Sequence, residues 1–134
     1  MSRTVSEQNI KEMIKRATDV RSHAYNPYYK TYVGACVMDD QGNFFEGCNV
    51  GNGVGLLDSC AEAIALGHAR AKGSYTIEAI AIVGFEHELI TPCGACRQRL
   101  AELAPGAKII CANIQGDYKL YSLDELLPHR YECK

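Results

Sequence analysis

Cys60-Ala61-Glu62 and, downstream, Pro92-Cys93-Gly94-Ala95-Cys96 constrain this chain more than any other feature. A fold that uses both segments brings three thiols to one point, with a carboxylate two residues from the first. Three protein ligands leave a fourth tetrahedral position open, which is the arrangement of a catalytic zinc ion. A closed structural site takes four. No second Cys-x-x-Cys is present. His23, His68, His87 and His129 are available as a fourth ligand, but none has a diagnostic spacing, and each reads as an ordinary surface or half-buried histidine.

The spacing makes chemical sense if each half opens a helix. Asp58 and Ser59 offer N-cap side chains, and Ala61 to Lys72 is rich in Ala, Leu and Ile. Thr91-Pro92 punctuates the chain, and Cys93 to Leu103 reads as a second helix with Arg97, Arg99 and Glu102 on its polar side. Cysteines at helix starts ionise readily, because free N–H groups and the positive dipole end favour thiolate. Glu62, in the same turn as Cys60, is placed to exchange a proton with a water in the fourth position without ligating the metal. Two blander readings stand beside this one. Ser59-x-x-Glu62 fits a capping box, and an isolated Cys-x-x-Cys serves equally as a redox pair or half a structural zinc site.

The rest of the chain reads as alternating helices and strands without an internal linker. A chain of 134 residues, 47% hydrophobic and 22% charged, fits one globular domain spanning 1–134. Thr4-x-x-Glu7 is expected to cap a first helix running to about His23, with Ile10, Ile14 and Ala17 on one face. Tyr32 to Met38 and Asn43 to Cys48 form a hairpin about Asp39-Asp40-Gln41-Gly42, followed by a glycine-rich loop from Gly47 to Gly55. Ala79 to Gly84 is a continuous apolar run, as for a strand covered on both faces. Lys108 to Ala112 and Asp117 to Tyr121 complete the strands, and Ser122-x-x-Glu125 caps a short helix ending at Pro128. The fold class expected is α/β: a sandwich around a mixed five-stranded sheet with helices on both faces. The two cysteine-bearing helix starts are expected to meet at one sheet edge.

Net charge is −2 and Lys/Arg do not cluster, which argues against a nucleic-acid partner. No stretch reaches transmembrane length and no apolar signal core follows Met1, so no membrane partner is expected and the protein reads as cytoplasmic. Seven cysteines, an odd number in metal-type spacing, point to reduced thiols. Cys36, Cys48 and Cys111 read as small buried hydrophobes.

These motifs carry a family resemblance. The pattern Cys-x-Glu with Pro-Cys-x-x-Cys resembles the signature of zinc deaminases, with Cys60 as first ligand. Ala24 to Ala35 resembles the AYxPYSKFxVGAA stretch of small cytidine deaminases, and Gly47-Cys48-Asn49-Val50-Gly51-Asn52 resembles their GCNVEN loop. Pro92 to Gln98 matches PCGACRQ, and Leu126-Leu127-Pro128 matches an LLP near their C-terminus. The resemblance implies one zinc per subunit on Cys60, Cys93 and Cys96, with Glu62 carrying protons between water, ring N3 and departing ammonia. It also implies a small-molecule nucleoside substrate, cytidine or deoxycytidine, contacted by Asn49 and by the backbone of Ala61. A homotetramer and a role in cytoplasmic pyrimidine salvage follow from it as well. Tyr131 is a candidate aromatic lid, supplied in cis or from a neighbouring subunit.

Three positions depart from the family pattern where substrate and metal are held. Gly51 stands where a sugar-binding Glu is usual, Thr31 where an aromatic is usual, and Ala63 where an Arg contacts the thiolates. Arg97 and the helix dipoles are the compensating charges expected here. Cys60 to Gly67 is similar to the CAEAIAIG run of blasticidin-S deaminases, and Leu127 to Tyr131 to their LxPxxY tail. That antibiotic carries the same 4-aminopyrimidine ring on an altered sugar, so a blasticidin-S deaminase activity is the alternative reading.

Overall fold

Ser6 starts the first helix. Its side chain accepts the Asn9 backbone N–H at 3.0 Å, while the Asn9 side chain reaches back to the Ser6 amide at 3.1 Å. The computed structural model describes residues 5–133, so the expected cap at Thr4 lies outside the described residues, and the capping box two positions later begins helix α1 (Glu7–Arg21). The hairpin strands are β1 (Gly34–Asp39) and β2 (Phe44–Cys48), followed by α2 (Ala61–Ala71) and β3 (Ile77–Val83). Helix α3 (Gly94–Leu103), β4 (Lys108–Ala112), β5 (Tyr118–Tyr121) and α4 (Leu123–Leu126) complete the order.

The five strands form one sheet in the order β2-β1-β3-β4-β5. Only β3 and β4 run parallel, joined through α3; the other neighbours are antiparallel. Alternation along the buried strands sorts the core into two layers. Cys36, Met38, Ala79, Ala81 and Ala112 face α1 through its Ile10, Met13, Ile14 and Ala17. The alanines let this single helix lie close to the sheet. Val37, Ile80, Ile82, Ile109 and Cys111 face the opposite way, against Ala65, Leu66 and Leu100 of α2 and α3. The sheet therefore has helices on both faces, as expected.

Two features place α2. Gly47 lies in β2 directly beneath it, and a Cβ there would stand 2.7 Å from the Ala61 carbonyl oxygen and 2.9 Å from Ala65 Cα. No side chain fits between strand and helix at that point. At the far end of the hairpin, the buried Asp39 carboxylate accepts from the backbone N–H groups of Gln41 and Asn43, from Asn43 Nδ2 and from Ser74 Oγ, at 2.7–3.1 Å. This ties the β1–β2 turn to the segment that follows α2.

The two cysteine-bearing helix starts do meet, at one end of the strands. Gly34 opens β1 between Cys48, the last residue of β2, and Val83, the last of β3. Helix α2 packs chiefly on β2 and β1, and its first residues meet the start of α3 beyond these strand ends.

Candidate metal centre and cavity

Neither cysteine-bearing helix has a side-chain cap. Cys60 is itself the N-cap of α2 and Cys93 that of α3, both with extended backbone. Asp58 and Ser59 do not cap α2 as expected, because both are engaged elsewhere. Asp58 Oδ1 accepts the Asn52 amide at 2.6 Å, and Ser59 exchanges backbone hydrogen bonds with Val50. With no cap, the free N–H groups at both helix starts are left facing sulfur.

The three thiols converge. Cys60, Cys93 and Cys96 place their Sγ atoms within 4.8 Å of one another, with Cys60 and Cys93 at 4.0 Å. Thiolates bound at about 2.3 Å to one tetrahedral ion stand roughly 3.8 Å apart, so the residues fit a zinc ion with little movement. Among the described residues no histidine joins the cluster. His68 bonds the Glu46 carbonyl at 3.0 Å and packs edge-on against Phe45, as an ordinary half-buried histidine. Cys36 and Cys111 are buried in the sheet as expected, whereas Cys48 is only half-buried.

Electrostatics at the cluster favour one thiolate in the metal-free chain. A hydrogen bond from Cys96 holds Cys60 down to about 6, with burial opposing and Cys93 and Arg99 adding to the effect. Cys96 is the protonated partner and is pushed up by that same pairing and by burial. Glu62, 5% exposed, is raised by burial, which favours its protonated form.

These groups floor a cavity of about 260 Å³ lined by Cys60, Ala61, Glu62 and Cys93 on one side and by Asn26, Thr31, Val33, Asn49, Val50 and Gly51 on the other. The volume sits near the small end of ligand pockets, roughly 300 Å³. Asn49 reaches the cavity as predicted, but its carboxamide also shapes it. Oδ1 accepts from Val33 N and Nδ2 donates to Thr31 O, both at 2.8 Å, leaving one lone pair and one N–H for a ligand. A Cβ at Gly51 would lie 2.8 Å from Asn26 Oδ1 and 3.2 Å from the Tyr25 carbonyl oxygen, so position 51 is filled by the neighbouring backbone wall.

Two expectations are corrected. Tyr131 is 73% exposed and lines a separate groove with Gln98 and Pro105, so within its own chain it is no lid on this cavity. Arg97 does not touch sulfur. Its guanidinium donates to the Pro92 and Leu126 carbonyls and to Thr91 Oγ1. The cation on the cluster is Arg99, whose Nη1 lies 3.5 Å from Cys96 Sγ. Its position three residues after Cys96, one turn along the same helix face, was the available signal.

The model of the cytidine and deoxycytidylate deaminase zinc-binding region matches residues 7–112. The chain is similar to a cytidine deaminase of Halalkalibacterium halodurans, with 40% identity over 91% of this chain and 93% of that protein. It is also similar to a blasticidin-S deaminase of Bacillus cereus, with 26% identity over 95% of this chain and 94% of that protein. The crystal structure of a cytidine deaminase from Burkholderia pseudomallei superposes with a TM-score of 0.85 at 41% identity, covering 90% of this chain and 97% of that one. With three sulfurs gathered at two helix starts beside a buried carboxyl, this chain belongs to the cytidine and deoxycytidylate deaminase family and is a zinc-dependent hydrolytic deaminase.

Proposed function

We propose that the protein deaminates a cytosine nucleoside, cytidine or deoxycytidine, to the uracil nucleoside and ammonia, with Glu62 as the catalytic acid–base and Cys60, Cys93 and Cys96 as the metal ligands. The observation that carries this reading is the buried Glu62 carboxyl facing the same small cavity as Cys60 and Cys93. Zinc, when bound, activates water as a nucleophile at neutral pH. The chain's own residues do the rest. Glu62 takes a proton from the attacking water and delivers it to ring N3, then carries a second proton to the amino group as the C4–N bond breaks. Water supplies the oxygen of the new carbonyl, and ammonia leaves. Ala61, the first residue of α2, offers a backbone N–H with no helical partner to the base, and Asn49 offers its remaining donor and acceptor to the sugar. The walls exclude bulk water from the carboxyl.

The bare Gly51 backbone favours a second reading for the sugar half of the site. With no carboxylate at position 51 the enzyme discriminates less among sugars, and an altered sugar such as that of blasticidin S is accommodated. We read residues 1–134 as one catalytic domain that works in the cytoplasm in pyrimidine salvage. The assembly we propose is a homotetramer. Val54, Leu56 and Leu57, between the cavity residues Gly51 and Asp58, are exposed, Leu56 at 93%, and a second copy would cover them. In that assembly Tyr131 serves a neighbouring subunit's cavity.

The test is loss of ultraviolet absorbance on incubating the zinc-loaded protein with cytidine, deoxycytidine and blasticidin S. Turnover of the plain nucleosides supports the first reading, and turnover of blasticidin S alone supports the second. No turnover of any of the three overturns both.

A further inference from the structure

Three thiolates on a divalent ion leave one net negative charge at the centre. Unscreened, that charge makes the sulfurs stronger donors and the metal a weaker acid. Two arginines of α3 lie within reach, and they are employed differently. Each nitrogen of the Arg97 fork donates, to the Pro92 and Leu126 carbonyls and to Thr91 at 2.7–3.1 Å, and the fork holds the chain around the helix start. Arg99 Nη1 donates to Cys96 Sγ at 3.5 Å. Among the described residues Arg99 has no carboxylate partner. Position 63, three residues after Cys60 on α2, is an alanine and supplies no charge.

We propose that Arg99 is the counter-charge of the thiolate centre: a positioning residue that, by its hydrogen bond to Cys96, withdraws electron density from the sulfur and keeps the metal a competent acid. This rests on the three cysteines holding the metal. The geometry favours the role, since Cys96 is the buried member of the trio and has the least access to screening water. Arg99 is itself exposed, so its replacement leaves the core intact.

The experiment uses the full chain with cobalt(II) in place of zinc, which gives a near-ultraviolet sulfur-to-cobalt charge-transfer band. Wild type, Arg99→Gln and Arg99→Lys are each loaded with one equivalent. The band in Arg99→Gln is expected to move to longer wavelength, because a sulfur without its cationic donor gives up an electron more easily. Arg99→Lys is expected to move less, since it keeps the charge. With zinc restored, Arg99→Gln turns over roughly 10-fold more slowly, the effect usual for removing a group that supports a metal ligand. A wild-type band in cobalt-loaded Arg99→Gln, or equal shifts in both variants, overturns the role of Arg99 and leaves the ligand set standing. Absence of the band in the wild type overturns the ligand set itself.

Discussion

The sulfurs of Cys60 and Cys93 stand 4.0 Å apart, each in the N-cap position of its own helix, with strand β3 running between the two segments in sequence. Each thiol sits where a capping oxygen normally would. The helix starts are thus held by whatever the thiols bind, and the metal and the local fold depend on one another.

Metal removal exposes that dependence. After chelation Cys60, held near 6 chiefly by the hydrogen bond from Cys96, is expected to be alkylated readily at pH 7, with its rate reaching half-maximum near pH 6. Cys36 and Cys111, pushed up by burial to about 12 and 11, should stay unmodified in the folded protein. Peptide mapping across pH 5 to 9 separates them, and zinc should protect Cys60. Cys60 labelling that begins only above pH 8 would contradict this picture.

Glu62→Gln keeps the side chain's shape and removes its proton chemistry. Zinc content and thermal midpoint should stay near wild type, while turnover falls by about 10²–10⁴-fold. Substantial residual turnover would assign the proton transfers to another group.

Gly47→Ala tests how tightly α2 is placed. The added methyl meets the Ala61 carbonyl and Ala65 backbone, so the helix must shift, at a cost of about 1–3 kcal/mol. Because α2 carries both Cys60 and Glu62, a displacement near 1 Å should also lower turnover by about 100-fold. Denaturant melts and steady-state kinetics on the folded variant check both. A fall in stability with wild-type turnover would mean the sheet yields instead of the helix.

Asp39→Asn is expected to weaken the fold and spare the chemistry, since the residue lies at the end of β1 opposite the cavity. Burial alone would raise this carboxyl, but hydrogen bonds from Ser74, Asn43 and Gln41 outweigh it and hold it below the usual range. An acid depressed in the folded state stabilises fully above the unfolded value, about 3.9, and loses that contribution as pH falls through its folded value. Wild type should therefore lose stability between about pH 4 and more acid conditions along a slope the variant lacks. At neutral pH the variant should be weaker by about 1–3 kcal/mol. Equal acid slopes would show that other carboxylates dominate.

Much of this architecture was legible because burial dictates it locally. Strand β4 spans Lys108–Ala112 as read, and α3 begins one residue after the expected Cys93. The short, β-branched apolar run of β3 reads as a strand covered on both faces, and Ser122 with Glu125 forms the capping box its spacing advertises. The same pattern misled at Ser59 and Glu62, because Ser59 is paired with Val50, a contact no local spacing reveals. The compensating charge expected of Arg97 likewise falls to Arg99. Both lie on the polar side of α3; the three-residue spacing to Cys96 marks Arg99, while the path of the chain beside Leu126, which no local spacing reveals, draws Arg97 away.

Val50 bridges Tyr25 on one side and Ser59 on the other, outside the main sheet. The wall of the cavity is thus stitched from three irregular segments, while its floor hangs from two helices packed on the core. The wall and the floor of the cavity accordingly belong to separable parts of the molecule. A change within residues 51–58 is expected to reshape that wall and leave the sulfur trio and its carboxyl in place.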